Sequence, residues 1–536
     1  MTRDTIPASR RVMNLANFLS QSARRHPDRE GFVWGDRSWT WREIEARVSA
    51  LAAALARHGI GKGDRVLVHS PNCNEMSESM LAAFRLGAVW VPTNVRLLPS
   101  DVVYLAETSR AKAFLCHGDY PEHAEAVQSA LPSLTLLARI GTGPFGADEV
   151  GDMIARELGA TVRNADVDYD DPCWLFFTSG TTGRPKGAVL THGQMTFVLT
   201  NHLCDLMPGT TEQDASLVVA PLSHGAGVHQ MTQMVRGAKT VLLASDRLDV
   251  EDAWRTIERH RITNVFTVPT ILKMLVEHPA ADQYDHSYLR YVIYAGAPMY
   301  REDQKLALAK LGPVLVQYFG LGEVTGNITV LPPALHAMED GPTARIGTCG
   351  FERTGMQVQI QDAAGRELPL GGVGEICVCG PAVFAGYWEN PTANAKSFRD
   401  GWFRTGDLGR MDDEGFLYIT GRESDMYISG GSNIYPREIE EKILTHADVA
   451  EVAVLGVPDP KWGEIGVAVC VPRPGRTLDE AELLDWLGGR IARYKLPRHL
   501  FIWDELPKSG YGKITKNLVR DMLEQRGCVP KKVVQG

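Results

Sequence analysis

The chain runs to 536 residues, too long for one hydrophobic core and long enough for two or more folding units. At 44% hydrophobic and 23% charged, its composition is that of an ordinary globular protein, not a fibrous or disordered one. A formal net charge of −9 excludes the overall basic character that favours nucleic acid, but not a local basic groove for a nucleotide.

No apolar run reaches the length that spans a bilayer. Residues 1–18 carry charges and no continuous apolar stretch, so no secretory signal is expected. The C-terminal residues Lys531 to Gly536 form no peroxisomal or endoplasmic-reticulum address. The nine cysteines lack metal-ligand spacing. Cys377-x-Cys379 falls on one face of a strand and reads as core. A cytoplasmic protein with free thiols is expected.

Residues 13–60 open with helical patterning, and Thr40 with Glu43 forms a capping box for a helix running to Arg57. From residue 64 strands and helices alternate: Arg65–His69, a helix to Gly87, Val89–Pro92, another helix, then Ala113–Cys116. This βαβ rhythm predicts a mostly parallel sheet covered by helices on both faces. It resumes through Leu217–Ala220, Thr240–Leu243, Asn264–Thr267, Tyr291–Tyr294 and Val314–Gln317, so two α/β units fit within residues 1–330. Between 345 and 420 short alternating runs such as Met356–Ile360 and Gly374–Val378 predict a small antiparallel barrel or sheet. A compact α+β unit closes the chain. Pro436 opens a helix with Ile439 and Ile443 on one face and Glu438–Lys442 as an i,i+4 pair. Strands Val452–Leu455 and Val467–Val471 follow, then a helix capped by Thr477 and Glu480 and running to Arg493.

One stretch does not read as scaffold. Thr178-Ser179-Gly180-Thr181-Thr182-Gly183-Arg184-Pro185-Lys186-Gly187 lies between the strand-like runs Cys173–Phe177 and Ala188–Leu190. Its backbone N–H groups, hydroxyls and one lysine are a donor set suited to phosphate oxygens. It is not a Walker A loop, because no Gly-Lys-Ser/Thr triplet opens a helix. The plainer alternative is a solvent-exposed hairpin turn, but such loops are usually two to five residues long.

These ten residues resemble the phosphate-loop signature of the adenylate-forming superfamily, which includes acyl-CoA synthetases, peptide-synthetase adenylation domains and firefly-type luciferases. Further segments in the family's order carry the resemblance over nearly the whole chain. Gln317-Tyr318-Phe319-Gly320-Leu321-Gly322-Glu323 resembles the family's Tyr-Gly-x-Thr-Glu, with Phe319 in place of the tyrosine that lies on adenine and Gly322 in place of threonine. Ala295-Gly296-Ala297-Pro298 resembles the turn that approaches adenine, and Trp402-Phe403-Arg404-Thr405-Gly406-Asp407 the Arg-Thr-Gly-Asp segment. Gly421 to Glu440 resembles the longest signature, and Leu506 to Ile514 the terminal lysine motif.

The resemblance implies an α/β fold: a large N-terminal domain of two α/β subdomains plus a small β-barrel, residues 1–421, and a smaller mobile α+β domain, residues 422–536. It implies an AMP-forming acid–CoA ligase that uses ATP and CoA with Mg²⁺. Nucleotide binding is expected from Thr178, Ser179, Gly180, Thr181, Thr182, Gly183, Lys186, Gly296, Ala297, Pro298, Phe319, Gly320, Asp407 and Arg422. Glu323 and Thr178 are the expected metal-holding residues, and Lys513 with Glu323 the catalytic ones. Ser429, Gly430 and Gly431 would line the CoA tunnel, and Ser424 stands at the hinge position. His224, Tyr318 and Gly320 would face the acyl group; acetyl-CoA synthetases carry tryptophan where Gly320 stands, and glycine is expected to leave the pocket open. No acidic residue follows His224 within ten residues to hold an amino-acid ammonium, so a medium or long aliphatic, branched or aromatic acid is expected. A ligase loading a carrier protein and a non-enzymatic nucleotide-binding relative are the alternatives. The expected partners are small molecules, with neither nucleic acid nor a membrane span, and a homodimer is a candidate assembly.

Overall fold

The computed structural model describes residues 11–178, 184–245, 247–297, 299–341, 344–422, 425–429, 432–508 and 514–529. Four sheets form among them. The first has seven strands in the order Asp148–Glu149, Leu136–Ile140, Ala113–His117, Arg65–His69, Val89–Pro92, Pro172–Thr178 and Lys186–Thr191. Every pairing is parallel except the last, an antiparallel hairpin that sets Thr178 opposite Lys186. The plainer reading of the Thr178–Gly187 loop is therefore correct in topology: the loop joins two paired strands. Interior strands such as Arg65–His69 are apolar on both faces because helices cover both faces of a parallel sheet.

The second sheet has nine strands. Leu315–Phe319, Tyr291–Tyr294, Asn264–Thr267, Ala215–Val218, Lys239–Leu242 and Glu30–Trp34 run parallel; Thr329–Leu331, Phe351–Glu352 and Arg37–Thr40 are antiparallel at its edges. Residues 13–60 open with a helix, as their patterning predicts, and a hairpin not expected from it follows. The helices Ala16–Arg25 and Trp41–Arg57 form, the latter with the Thr40–Glu43 capping box, but the hairpin Glu30–Trp34/Arg37–Thr40 lies between them. It pairs Phe32 with Thr240, so the chain start belongs to the second sheet. One hydrophobic cluster includes Val66, Trp90 and Trp174 of the first sheet and Val218, Ile293 and Val316 of the second. The two α/β units therefore share a core.

The third unit is antiparallel: Gln357–Gln361, Gly374–Cys379, Trp402–Met411 and Phe398–Arg399 in order, with Leu417–Arg422 on Trp402–Met411. Of the two expected forms, barrel or sheet, these pairings give a sheet. The fourth sheet, also five-stranded, orders Ser432–Ile434, Tyr427–Ser429, Gly463–Pro472 and Val449–Asp459, with His499–Ile502 on Gly463–Pro472. The helix Pro436–Ile443 packs here and buries Ile439 and Ile443. Two local expectations are corrected. Glu438 pairs with Lys495 across the domain at 2.6 Å, not with Lys442. The next helix spans Glu480–Gly488 and is capped by Asp479, whose Oδ1 accepts from Ala481 and Glu482; the aspartate next to the first turn displaces Thr477 as cap. Among the described residues no helix is long and apolar enough to cross a membrane.

Candidate active site

In a parallel sheet ligands gather beyond the carboxyl ends of the strands. Several of the expected residues that the structure describes sit there. The 221–224 segment follows Ala215–Val218, Gly296 follows Tyr291–Tyr294, and Gly320 to Glu323 follow Leu315–Phe319. Thr178 ends a strand of the other sheet. Tyr318 and Phe319 lie in the Leu315–Phe319 strand itself, not beyond it.

Glu323 is the junction. It lies in a single 3-10 turn, Gly322–Val324, and is 7% exposed. Its Oε1 accepts the Thr178 hydroxyl at 2.9 Å and the Tyr387 hydroxyl at 2.9 Å. Its carbonyl accepts the Phe384 N–H at 2.8 Å. One carboxylate thus ties the seven-stranded sheet, the nine-stranded sheet and the segment after Gly374–Cys379.

Sequence reasoning missed Tyr387. Residues 385–388 lie along the strand Lys186–Thr191, with Val189 N–H on the Gly386 carbonyl and Trp388 N–H on the Gly187 carbonyl. This sets the Tyr387 ring 4.6 Å from the Lys186 ammonium, a cation–π contact, while its hydroxyl reaches Glu323. Burial and the Glu323 charge together push the Tyr387 phenol far above its ordinary value, so it stays a donor. The available signal was an aromatic pair, Tyr387-Trp388, inside a Gly- and Asn-rich turn.

Phe176 also acts without having been expected to. A Cβ on Gly322 would lie 2.6 Å from the Phe176 ring and 3.0 Å from the Thr178 methyl. The ring occupies the space a side chain at 322 would need, so glycine there matches Phe176. The other face of the site is His224, whose ring meets Phe176 edge-on at 4.9 Å and whose Nδ1 lies 2.9 Å from the Ser223 hydroxyl. Burial holds His224 down to about 3, a neutral imidazole at ordinary pH.

Gly320 does not face open space: its Cβ would fall 2.4 Å from the Gly326 Cα. The glycine allows two backbone segments to touch, and Gly326, at φ +78°, in turn leaves room for the Tyr318 ring. Gly296, at φ +84°, turns the chain after its strand, and Ala297 follows.

Asp407 and Arg422, expected separately on ribose or phosphate, are cross-strand partners. The Arg422 Nε donates to Asp407 Oδ1 at 2.9 Å; the aspartate is 5% exposed. Ser429 pairs with Gly463 inside the C-terminal sheet. Ser179, Gly180, Thr181, Thr182, Gly183, Pro298, Ser424, Gly430, Gly431 and Lys513 lie outside the described residues.

Comparisons with known proteins show the family of the chain. The family described as AMP-binding enzyme matches residues 19–388, and its C-terminal domain family matches residues 438–513. A feruloyl-CoA synthase from Amycolatopsis is 37% identical over 514 residues, covering 95% of this chain and 99% of that protein. An indoleacetate–CoA ligase from Aromatoleum aromaticum is 33% identical, covering 96% of this chain and 99% of its own. The structure of O-succinylbenzoate coenzyme A synthetase from Bacillus subtilis, in complex with AMP, superposes with a TM-score of 0.81 at 31% identity, covering 94% of this chain and 98% of that one. With matched family segments along both parts of the chain, this protein belongs to the AMP-binding enzyme family of adenylate-forming ligases.

Proposed function

We propose that this chain is an AMP-forming acid–CoA ligase. A carboxylate oxygen attacks the ATP α-phosphorus in line, forming the acyl-adenylate as the bond to pyrophosphate breaks. The CoA thiol then loses its proton and attacks the acyl carbon, and the acyl–oxygen bond to AMP breaks. The observation that carries this reading is the Glu323 junction. A buried carboxylate is held by two hydroxyls beside Lys186, at the carboxyl ends of two sheets.

In this reading Thr178, Lys186 and Ser179 to Gly183 cradle the triphosphate. Gly296, Ala297, Pro298, Phe319 and Gly320 border the adenine. Asp407, fixed by Arg422, accepts the ribose hydroxyls. Glu323 and Thr178 offer oxygen ligands of the kind Mg²⁺ takes. No cluster of three or more His, Cys, Asp or Glu forms a metal cage among the described residues. That suits a cation that keeps waters and phosphates as its other ligands. When bound, Mg²⁺ supplies neutralisation of phosphate charge. Lys513 brings an ammonium to the carboxylate and α-phosphate, and positioned charge of this kind is worth roughly 10²–10³ in rate. Residues 422–536 turn about Ser424, withdrawing Lys513 and bringing Ser429, Gly430 and Gly431 to the CoA arm.

A panel of carboxylic acids, assayed for AMP release and for thioester with CoA as sole acceptor, tests the reading. Acid-dependent AMP and acyl-CoA are expected. Adenylate without thioester would point to a carrier-protein acceptor, and no AMP from any acid to a nucleotide-binding protein without ligase activity.

A further inference from the structure

If the chain is such a ligase, the far end of its acyl pocket carries a second message. The helix Gly225–Arg236 begins at His224. Gly225 and His229 are four residues apart on one face, so His229 lies about 6 Å further along the helix. The walls between them are aromatic. A Cβ on Gly225 would stand 2.8 Å from the Phe266 ring and 3.6 Å from the Tyr318 hydroxyl. Phe266 stacks on His229 at 4.3 Å, with Tyr318 6.0 Å from both. Phe176 meets His224, and past Gly225 the rings of Phe266, Tyr318 and His229 are in contact; buried polar groups begin beside His229.

His229 is 3% exposed, and neither ring nitrogen has a hydrogen-bond partner. His202 lies next to it at 4.8 Å, and Arg353 follows, 1% exposed. The Arg353 Nη1 has no partner, and its Nε reaches Asp205 only at 3.5 Å. Its Nη2 faces the His202 Nδ1 at 3.3 Å, but that nitrogen lies 2.9 Å from the Val198 carbonyl. As the donor in that bond, it has no lone pair for the guanidinium. The Asp205 oxygens are also taken by the Thr354 N–H and hydroxyl. A buried guanidinium and a buried imidazole are therefore both short of partners, a costly arrangement unless something else supplies them.

Charge narrows what that is. Asp205 offsets Arg353, and burial keeps His202 and His229 neutral, so the subsite has no net positive charge to recruit a second carboxylate. A neutral hydroxyl both donates and accepts, as this set requires. We propose that the acyl pocket ends in a polar subsite of His229 and Arg353 that selects a carboxylic acid bearing a neutral hydroxyl at its distal end.

Matched acids test this with the full-length enzyme: 4-hydroxycinnamate against cinnamate, 10-hydroxydecanoate against decanoate, and decanedioate as the charged control. The hydroxylated member of at least one pair should exceed its parent about tenfold or more in kcat/KM, because a site built for a hydroxyl is left unpaired by the parent. His229→Phe keeps a ring on Phe266 and removes the nitrogens; the ratio should fall to about twofold or less, through a higher KM for the hydroxylated acid. Arg353→Gln should narrow the same ratio, so the proposal stays testable if one variant fails to fold. Equal use of both members of every pair, preference for decanedioate, or a ratio unchanged in the folded variants would overturn the subsite and leave the ligase reading standing. Absence of AMP release with every acid would overturn both.

Discussion

At the scale of single residues the site depends on which donors hold Glu323. Thr178 ends the strand Pro172–Thr178. Tyr387 comes from a separate segment held by backbone bonds to Lys186–Thr191, the other strand of the hairpin that Pro172–Thr178 begins, so it is a second donor to the carboxylate. Tyr387→Phe keeps the ring on Lys186 and removes only the hydroxyl. Loss of one hydrogen bond to a charged group is worth about 1.5–3 kcal/mol. We expect ATP–pyrophosphate exchange to fall by roughly tenfold or more, with the Mg²⁺ concentration for half-maximal rate rising; an unchanged Mg²⁺ titration would remove Tyr387 from the site. Gly322 makes the complementary case. Gly322→Ala places a methyl against Phe176 at a distance no folded core tolerates, so overpacking should cost about 1–3 kcal/mol. Phe176→Leu in the same chain should recover most of the lost melting temperature. If Gly322→Ala melts like the parent, the ring is not confined as described.

At the scale of elements a buried carboxylate joins three segments of the C-terminal unit. Glu440, 8% exposed on the helix Pro436–Ile443, accepts the Val454 N–H at 2.8 Å and pairs with Lys516 at 2.7 Å. Val454 lies on an outermost strand, so the bond occupies an edge group that would otherwise be open. Lys516 begins the helix Lys516–Gln525, which follows Lys513. Glu440→Ala should cost about 1–3 kcal/mol in the last unit, read as faster amide exchange at Val454, and adenylation should weaken because the helix beside Lys513 loses its tether. Protection at Val454 equal to the parent's would refute this. The elements most readable from sequence were those with local signals. Thr40 and Glu43 cap their helix as their spacing predicts, and Pro436 opens its own. Glu30–Trp34 pairs locally with Arg37–Thr40 across Gly35-Asp36, a hairpin signal that was missed; its parallel pairing with Lys239–Leu242, far along the chain, has no local pattern to encode it. Asp407 and Arg422 were each singled out from local motifs, but their mutual bond follows from strand register. Tyr387 and Phe176 look like turn and core positions in the sequence; only the meeting of two sheets and the segment after Gly374–Cys379 at Glu323 gives them a neighbourhood.

At the scale of the whole molecule two predictions separate function from stability. If the C-terminal residues alternate between two tasks, Lys513→Ala should lose adenylation by about 10²-fold or more. It should still convert supplied acyl-adenylate and CoA to thioester at close to the parent rate; equal loss of both half-reactions would count against alternation. Stability is governed elsewhere, by how many histidines the fold buries uncharged. Burial holds His69, His224 and His229 down to about 3, and His192 and His336 to about 4. In the unfolded chain each takes up a proton below about 6.5. The unfolded state then binds more protons than the folded one, so stability must fall as pH falls below about 6.5 and level off above it. At about pH 5 each such histidine withdraws about 2 kcal/mol, and several together rival the whole stability of a typical domain. Glu78, raised by burial, opposes this, but it is one group against several. The melting temperature should be nearly level from about pH 7 to 8, drop steeply between about 6 and 5, and be lost near 5 with exposure of tryptophan fluorescence. A melting temperature constant down to about pH 5 would mean that these imidazoles are charged or solvated in the folded protein, and the neutral His229 of the proposed subsite would have to be abandoned with them.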